Sequence, residues 1–157
     1  MKNMKIMFVC SAGGHLAQIL ELEYLYNKYD SVIVTEDLEI NMSFKKKYNM
    51  LYLKSAGKGR DYLFWKNFII NIYLSIKYVL LYRPDVIITT GSHTAIPTCF
   101  IGKIRKSKII YILSYSKINM KAKSANVIYP ISDLFIVQWE AAQKLYPKSI
   151  YLGGGIY

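Results

Sequence analysis

Histidine and cysteine are scarce, at two each in 157 residues. Two histidines exclude a His-rich metal centre, and no Cys/His group has zinc-ligand spacing, so neither a metal nor a cofactor is expected. Cys10 and Cys99 lie far apart in apolar stretches. They suit small buried hydrophobes in a reducing cytoplasm better than a disulfide framework. Long apolar runs are missing too: no uncharged apolar stretch reaches the roughly 18 residues that argue for a spanning helix. The run Ile6 to Cys10 ends at once in glycines, which marks a first strand rather than a signal peptide. Acidic residues number 10 against 21 Lys and Arg, a net charge of +11. That balance favours an anionic partner, nucleic acid or a membrane surface. No RNP-like strand motif or base-stacking platform accompanies it, so nucleic acid is not the expected partner. Hydrophobic residues make up 53% of the chain, enough to exclude disorder and to fill one domain over 1–157.

What is present is an alternation of strands and helices. Short apolar runs at 6–10, 31–35, 50–53, 85–89, 108–113, 134–137 and 149–152 read as strands. Apolar periodicity predicts helices over 15–29, 61–82, 93–104 and 139–145. Residues 36–48 and 115–126 are polar and mixed, without a clear long element. The strands are apolar along their whole length. That is the pattern of a mostly parallel sheet covered on both faces, a doubly wound α/β fold.

In such a sheet the loops after the strand C-termini share one edge, where ligands bind. Two of these loops have notable composition: Ser11-Ala12-Gly13-Gly14-His15 and Thr90-Gly91-Ser92-His93-Thr94. Glycine lets the backbone approach a ligand, and free N–H groups at the following helix start favour an anion. Ser11, Ser92 and Thr94 add hydroxyl donors. Ser11, Gly13, Gly14, His15, Gly91, Ser92, His93 and Thr94 are therefore the candidate diphosphate-binding set. The first loop reads G-G-H-x-x-Q rather than G-x-G-x-x-G. Glu36 and Asp37 nevertheless stand where a ribose could be held. A stand-alone Rossmann- or flavodoxin-like nucleotide-binding enzyme therefore stays open as the alternative.

The segment 61–82 is apolar or aromatic on nearly every face, with a narrow polar stripe at Asn67, Asn71 and Ser75. One face must meet the sheet and another something else. A membrane surface is the first expectation, with Phe64, Trp65, Lys66, Phe68 and Tyr73 as contacts. Tyr78 and Tyr82 also suit the interfacial zone, and Lys58, Arg60, Lys77 and Arg83 suit anionic lipid. A protein partner is the other reading.

Three blocks carry a resemblance: FVCSAGGHLAQ at 8–18, RPDVIITTGSHTAIP at 83–97, and YPISDLFIVQWE with YPKSIYLGGGIY towards the C-terminus. Together they resemble the membrane-anchor, acceptor-binding subunits of two-component GT-B glycosyltransferases, and the N-terminal half of enzymes such as MurG. The eukaryotic members serve early asparagine-linked glycan assembly, and bacterial ones serve capsule and exopolysaccharide synthesis. The resemblance implies a Rossmann-like GT-B N-terminal domain that holds a polyprenyl-diphosphate sugar. A separate UDP-sugar-binding catalytic chain would complete the enzyme, at the cytoplasmic face of the cell membrane, in capsule or exopolysaccharide synthesis. On this reading both glycine loops face the acceptor diphosphate. His15 is either the general base or a residue that merely caps its helix. The ending Leu152 to Tyr157 would dock on the partner or trail free. Relatives carry an acidic residue where this chain has Leu113, and an arginine where it has Lys117.

Overall fold

The computed structural model describes residues 4–38, 44–55 and 62–156. The basic turn at 56–60, Asp61 and Tyr157 lie outside the described residues. Seven strands alternate with helices: β1 (Lys5–Cys10), α1 (Gly14–Leu20), α2 (Glu23–Lys28), β2 (Asp30–Glu36), β3 (Met50–Leu53), α3 (Tyr62–Tyr82) and β4 (Val86–Gly91) form the first part. Then come α4 (Ala95–Ile104), β5 (Lys108–Ile112), α5 (Lys123–Ile128), a 3-10 turn (Tyr129–Ile131), β6 (Leu134–Val137), α6 (Glu140–Gln143) and β7 (Ile150–Tyr151). The strands form one sheet in the order β3-β2-β1-β4-β5-β6-β7, and every pair is parallel. This is the doubly wound, Rossmann-like sheet that the apolar runs predict. The chain reverses direction across the sheet between β1 and β4, the switch point at which such folds bind ligands.

Side-chain alternation along the strands divides the core in two. Met7, Val9, Val32, Val34, Ile87, Ile109, Tyr111 and Phe135 face α3 to α6. Ile6, Phe8, Ile33, Ile88 and Ile112 face α1 and α2. Each such residue is worth roughly 1.5–3 kcal/mol on burial, so the sheet register is strongly specified. Cys10 and Cys99 are free and fully buried, and burial pushes both thiols up to about 12.

Two helices depart from expectation. The 15–29 helix is broken at Glu21–Leu22, where Leu22 leaves helical geometry at φ −87°, ψ 23°. The break keeps Leu22, Leu25 and Tyr26 packed against the sheet. In the mixed 115–126 stretch the chain forms α5, whose six residues bury only Ala125 and Ile128. Long-range contacts hold it: the Tyr146 hydroxyl accepts from Ala122 N–H at 3.1 Å and donates to Asn126 at 3.2 Å.

Candidate functional site

The two glycine turns lie side by side because β1 and β4 are neighbours, with Cys10 in register opposite Gly91. Thr90 Oγ1 donates to the backbone carbonyl of His15 at 3.0 Å and ties one turn to the other. Gly91 is required on two counts. Its φ is +109°, in the left-handed region, and a Cβ would run into the Tyr111 hydroxyl. Ser92 follows at φ +92°, an uncommon conformation for a residue with a side chain. Its N–H donates to Ser124 Oγ at 3.2 Å, and its hydroxyl meets Thr94 Oγ1 at 3.1 Å. Strain of this kind costs on the order of 1–3 kcal/mol and concentrates at ligand sites.

A cavity of about 780 Å³ opens above these turns. His15 comes from the first turn, Ser92 and His93 from the second, and Ser114, Ser116, Lys117 and Lys121 from the loop after β5. Lys123 and Ser124 open α5, and Phe64 from α3 closes the far wall. Among the described residues, no carboxylate lines the cavity. Hydroxyls, lysines and imidazoles are groups that suit an anion, and a cavity of this volume is large enough for a diphosphate with an attached sugar.

His15 Nδ1 and His93 Nε2 are buried without a hydrogen-bond partner. An unpaired buried polar atom costs about 1–3 kcal/mol, so each nitrogen is suited to a ligand atom. Burial lowers the His15 pKa, a contact with the Thr90 backbone opposes that shift, and the charge of Lys117 adds to it. Burial alone lowers that of His93. Both rings are therefore neutral at neutral pH, and a neutral imidazole can accept a proton.

The wall is braced by two glutamines that are not among the candidate site residues. Gln18 Oε1 accepts from Tyr115 N–H at 3.0 Å and from Gln138 Nε2 at 2.8 Å. Gln18 Nε2 donates to Ser114 Oγ and to the Gly14 carbonyl, both at 3.2 Å. Gln138 also receives Ile156 N–H at 2.9 Å, so the C-terminal segment folds back onto its own domain. The signal was a polar side chain beside Leu16 and Ile19 on the inner face of α1. Glu36, at the end of β2, is buried, and burial raises its pKa while the Ala12 N–H bonded to it opposes the rise. Its carboxylate braces the first turn.

Not every expected contact lines the cavity. Gly13 and Gly14 are exposed in the turn, Gly13 at φ +78°, and Ser11 is half-buried beneath it. Thr94 is fully buried, with its hydroxyl on Ser92. Gly91 shapes the turn rather than the wall. Leu113 lies in the hydrophobic core, where a carboxylate would be desolvated. Lys121, Lys123 and Ser124 are additions that a solvated, lysine-rich stretch does not announce.

The long helix α3 is inverted relative to an ordinary surface helix. Its polar stripe points inward. Asn71 accepts from Lys54 N–H and donates to the Lys54 carbonyl, both at 2.8 Å, Asn67 donates to the Ser55 carbonyl at 2.8 Å, and Ser75 meets Thr98 at 2.9 Å. Its apolar side points out: Trp65 is 54% exposed, Ile69 65%, Tyr73 67% and Leu81 72%. Lys66 is exposed beside them. Two expected surface contacts are corrected. Tyr78 and Tyr82 turn inward and donate to the carbonyls of Tyr52 and Asp30 at 2.8 and 2.6 Å. Phe64 and Phe68 are half-buried and stack on each other, with Phe64 5.4 Å from the His93 ring. Among the described residues, no helix is long and apolar enough to cross a membrane.

Comparison with known proteins adds to this geometry. A family profile described as "Oligosaccharide biosynthesis protein Alg14 like" matches residues 61–155. The UDP-N-acetylglucosamine transferase subunit ALG14 of Homo sapiens is 27% identical, over 97% of this chain and 83% of its own length. The subunit of the same name from Candida albicans is 38% identical over 48% of this chain and 37% of its own length. Among solved structures, UDP-N-acetylglucosamine 2-epimerase from Rickettsia bellii superposes with a TM-score of 0.73 at 14% identity, over 98% of this chain. MurG from Acinetobacter baumannii superposes with 0.71 at 9% identity, over 88% of this chain. These likenesses establish the fold alone. The chain spans less than half of either structure, 45% and 42%.

Proposed function

The chain belongs to the Alg14-like family of oligosaccharide biosynthesis proteins, and from that premise we propose that it is the acceptor-binding, membrane-recruiting subunit of a two-chain glycosyltransferase. Its single domain holds the diphosphate of a polyprenyl-linked sugar, and a separate chain binds the UDP-sugar. The observation that carries this reading is the cavity in which the turns after β1 and β4 meet three lysines and two neutral histidines, with no carboxylate among the described residues that line it. UDP-N-acetylglucosamine is the first donor to test, because the relatives are named as its transferase subunits. Their names carry neither capsule nor exopolysaccharide, so that part of the expectation is set aside.

In the proposed reaction the acceptor hydroxyl oxygen bonds to the anomeric carbon as the bond from that carbon to UDP breaks. His15 takes the hydroxyl proton. The lysines and Ser92 hold the acceptor diphosphate, and the partner stabilises the departing UDP. Among the described residues, no carboxylate in the cavity competes with His15 for this role. The outward apolar side of α3, with Trp65, Lys66 and Tyr73, seats the domain on the membrane from its cytoplasmic face. The C-terminal segment beyond β7 is the place where a second lobe would dock. A stand-alone dinucleotide enzyme has less support: the first turn lacks the third glycine of the fingerprint, and Glu36 is engaged by Ala12.

Co-purification with the candidate partner, followed by transfer from UDP-N-acetylglucosamine to a polyprenyl-diphosphate sugar, tests the proposal. Transfer is expected only with both chains. Tight UDP-sugar binding or transfer by this chain alone would overturn it.

A further inference from the structure

The cavity has two rims, and both carry apolar residues. One rim is the first turn of α3, where Tyr62, Leu63 and Trp65 are exposed while Phe64 forms the wall. The other is the loop between β5 and α5. There Ile118 is 45% exposed and Met120 60%, and Lys117 and Lys121 on either side of them line the cavity. Exposed apolar side chains bracketed by lysines fit the boundary of a bilayer, where the apolar group enters the acyl edge and the ammonium stays among phosphates.

Charge placement selects the occupant. Residues 86–132 contain no Asp or Glu, and α3 contains none either. Asp30, Asp85 and Asp133 stand at the strand N-termini, at the opposite edge of the sheet. There Asp30 pairs with Lys5, Asp85 accepts the Lys5 N–H, and Asp133 pairs with Lys103 and Lys108. Among the described residues, Lys66, Lys117, Lys121 and Lys123 make no ion pair. Lysines without an ion pair thus ring the cavity mouth, on the side that the outward face of α3 also occupies. An anionic lipid surface complements both features.

We propose that the segment Lys117–Lys121 is a second membrane-contacting element, with Ile118 and Met120 entering an anionic bilayer beside the Trp65 end of α3, so that the anion cavity opens directly into the headgroup layer. The inference rests on the membrane reading of α3 and extends it to the facing rim. It gives a lipid-linked diphosphate a route into the cavity that keeps its polyprenyl chain in the bilayer. A two-rim contact also fixes the orientation of the domain, which one helix alone leaves free to roll.

The test uses the full chain with single cysteines at Ile118→Cys, Met120→Cys, Trp65→Cys and, as a control at the opposite edge, Lys148→Cys. Each is labelled with an environment-sensitive fluorophore. Cys10 and Cys99 are buried, with thiols pushed up to about 12, and do not compete for label. Vesicles of phosphatidylcholine with about one-third phosphatidylglycerol supply the anionic surface. Labels at 65, 118 and 120 are expected to brighten and shift to the blue, and the label at 148 to stay unchanged. Flotation of an Ile118→Asp/Met120→Asp variant is expected to show vesicle affinity reduced roughly tenfold or more. A response at 65 without one at 118 or 120 overturns this inference and leaves the α3 reading standing. No response at any site overturns both. Brightening at 118 and 120 only with the partner chain, and not with vesicles, makes the loop a protein interface and also overturns the inference.

Discussion

Thr90 and His15 are 75 residues apart in the chain, and the Thr90 hydroxyl donates to the His15 carbonyl at 3.0 Å. That bond joins the turn after β1 to the turn after β4, and the rest of the site is assembled around the pair. Thr90→Val keeps the shape and removes the donor. It is expected to cost about 1 kcal/mol in urea denaturation and to weaken binding of a diphosphate lipid.

Gly91→Ala is expected to destabilise the fold by roughly 2–4 kcal/mol, combining left-handed backbone strain with overpacking against the Tyr111 hydroxyl. Adding Tyr111→Phe removes the atom that is struck. A double-mutant cycle by denaturation should recover part of the loss, and strict additivity would place the cost in the backbone alone.

The inverted α3 gives opposite outcomes for substitutions on its two sides. Asn71→Leu leaves the Lys54 N–H and carbonyl without their partner and is expected to cost about 2–3 kcal/mol. Ile69→Gln, on the outward side, is expected to change stability by no more than about 0.5 kcal/mol. It should nevertheless weaken flotation with anionic vesicles. Thermal unfolding and flotation on the same two variants separate the sides.

Much of this architecture is legible in sequence. Strands such as Val86 to Thr90 are short β-branched runs, and such runs in a buried parallel sheet have few alternative readings. His15, Ser92 and His93 are legible as a site because glycine turns and switch-point topology bring them together. Lys121, Lys123 and Ser124 are not, since α5 is short and depends on Tyr146, which lies far along the chain. Gln18 and Gln138 pair across 120 residues, which no local pattern records. Tyr78 and Tyr82 turn inward, against the sequence expectation, for a physical reason. An interfacial tyrosine and one that caps a buried carbonyl have the same composition and helical spacing, and only the tertiary partner separates them.

The lowered pKa of His15 and His93 fixes the sign of the pH response. Burial favours the neutral rings in the folded state, so the unfolded chain binds more protons on acidification. Their contribution to stability is complete above the unfolded value of about 6.5 and is lost as the pH falls from there towards the folded values. Denaturation at a series of pH values should show a decline below about 6.5 that shrinks in His15→Asn. In the proposed two-chain enzyme the same variant is expected to reduce turnover by about 10²–10⁴-fold. A wild-type turnover rate in His15→Asn would remove the residue from the chemistry.

The most direct measurement compares binding to nanodiscs carrying a polyprenyl-diphosphate sugar with binding to nanodiscs of the same phospholipids carrying the unphosphorylated polyprenol. Tighter binding to the diphosphate is expected. A Lys117→Gln/Lys121→Gln/Lys123→Gln variant is expected to lose roughly tenfold or more of that preference. Equal binding to both lipids, or a preference that survives loss of the three lysines, would contradict the proposed function.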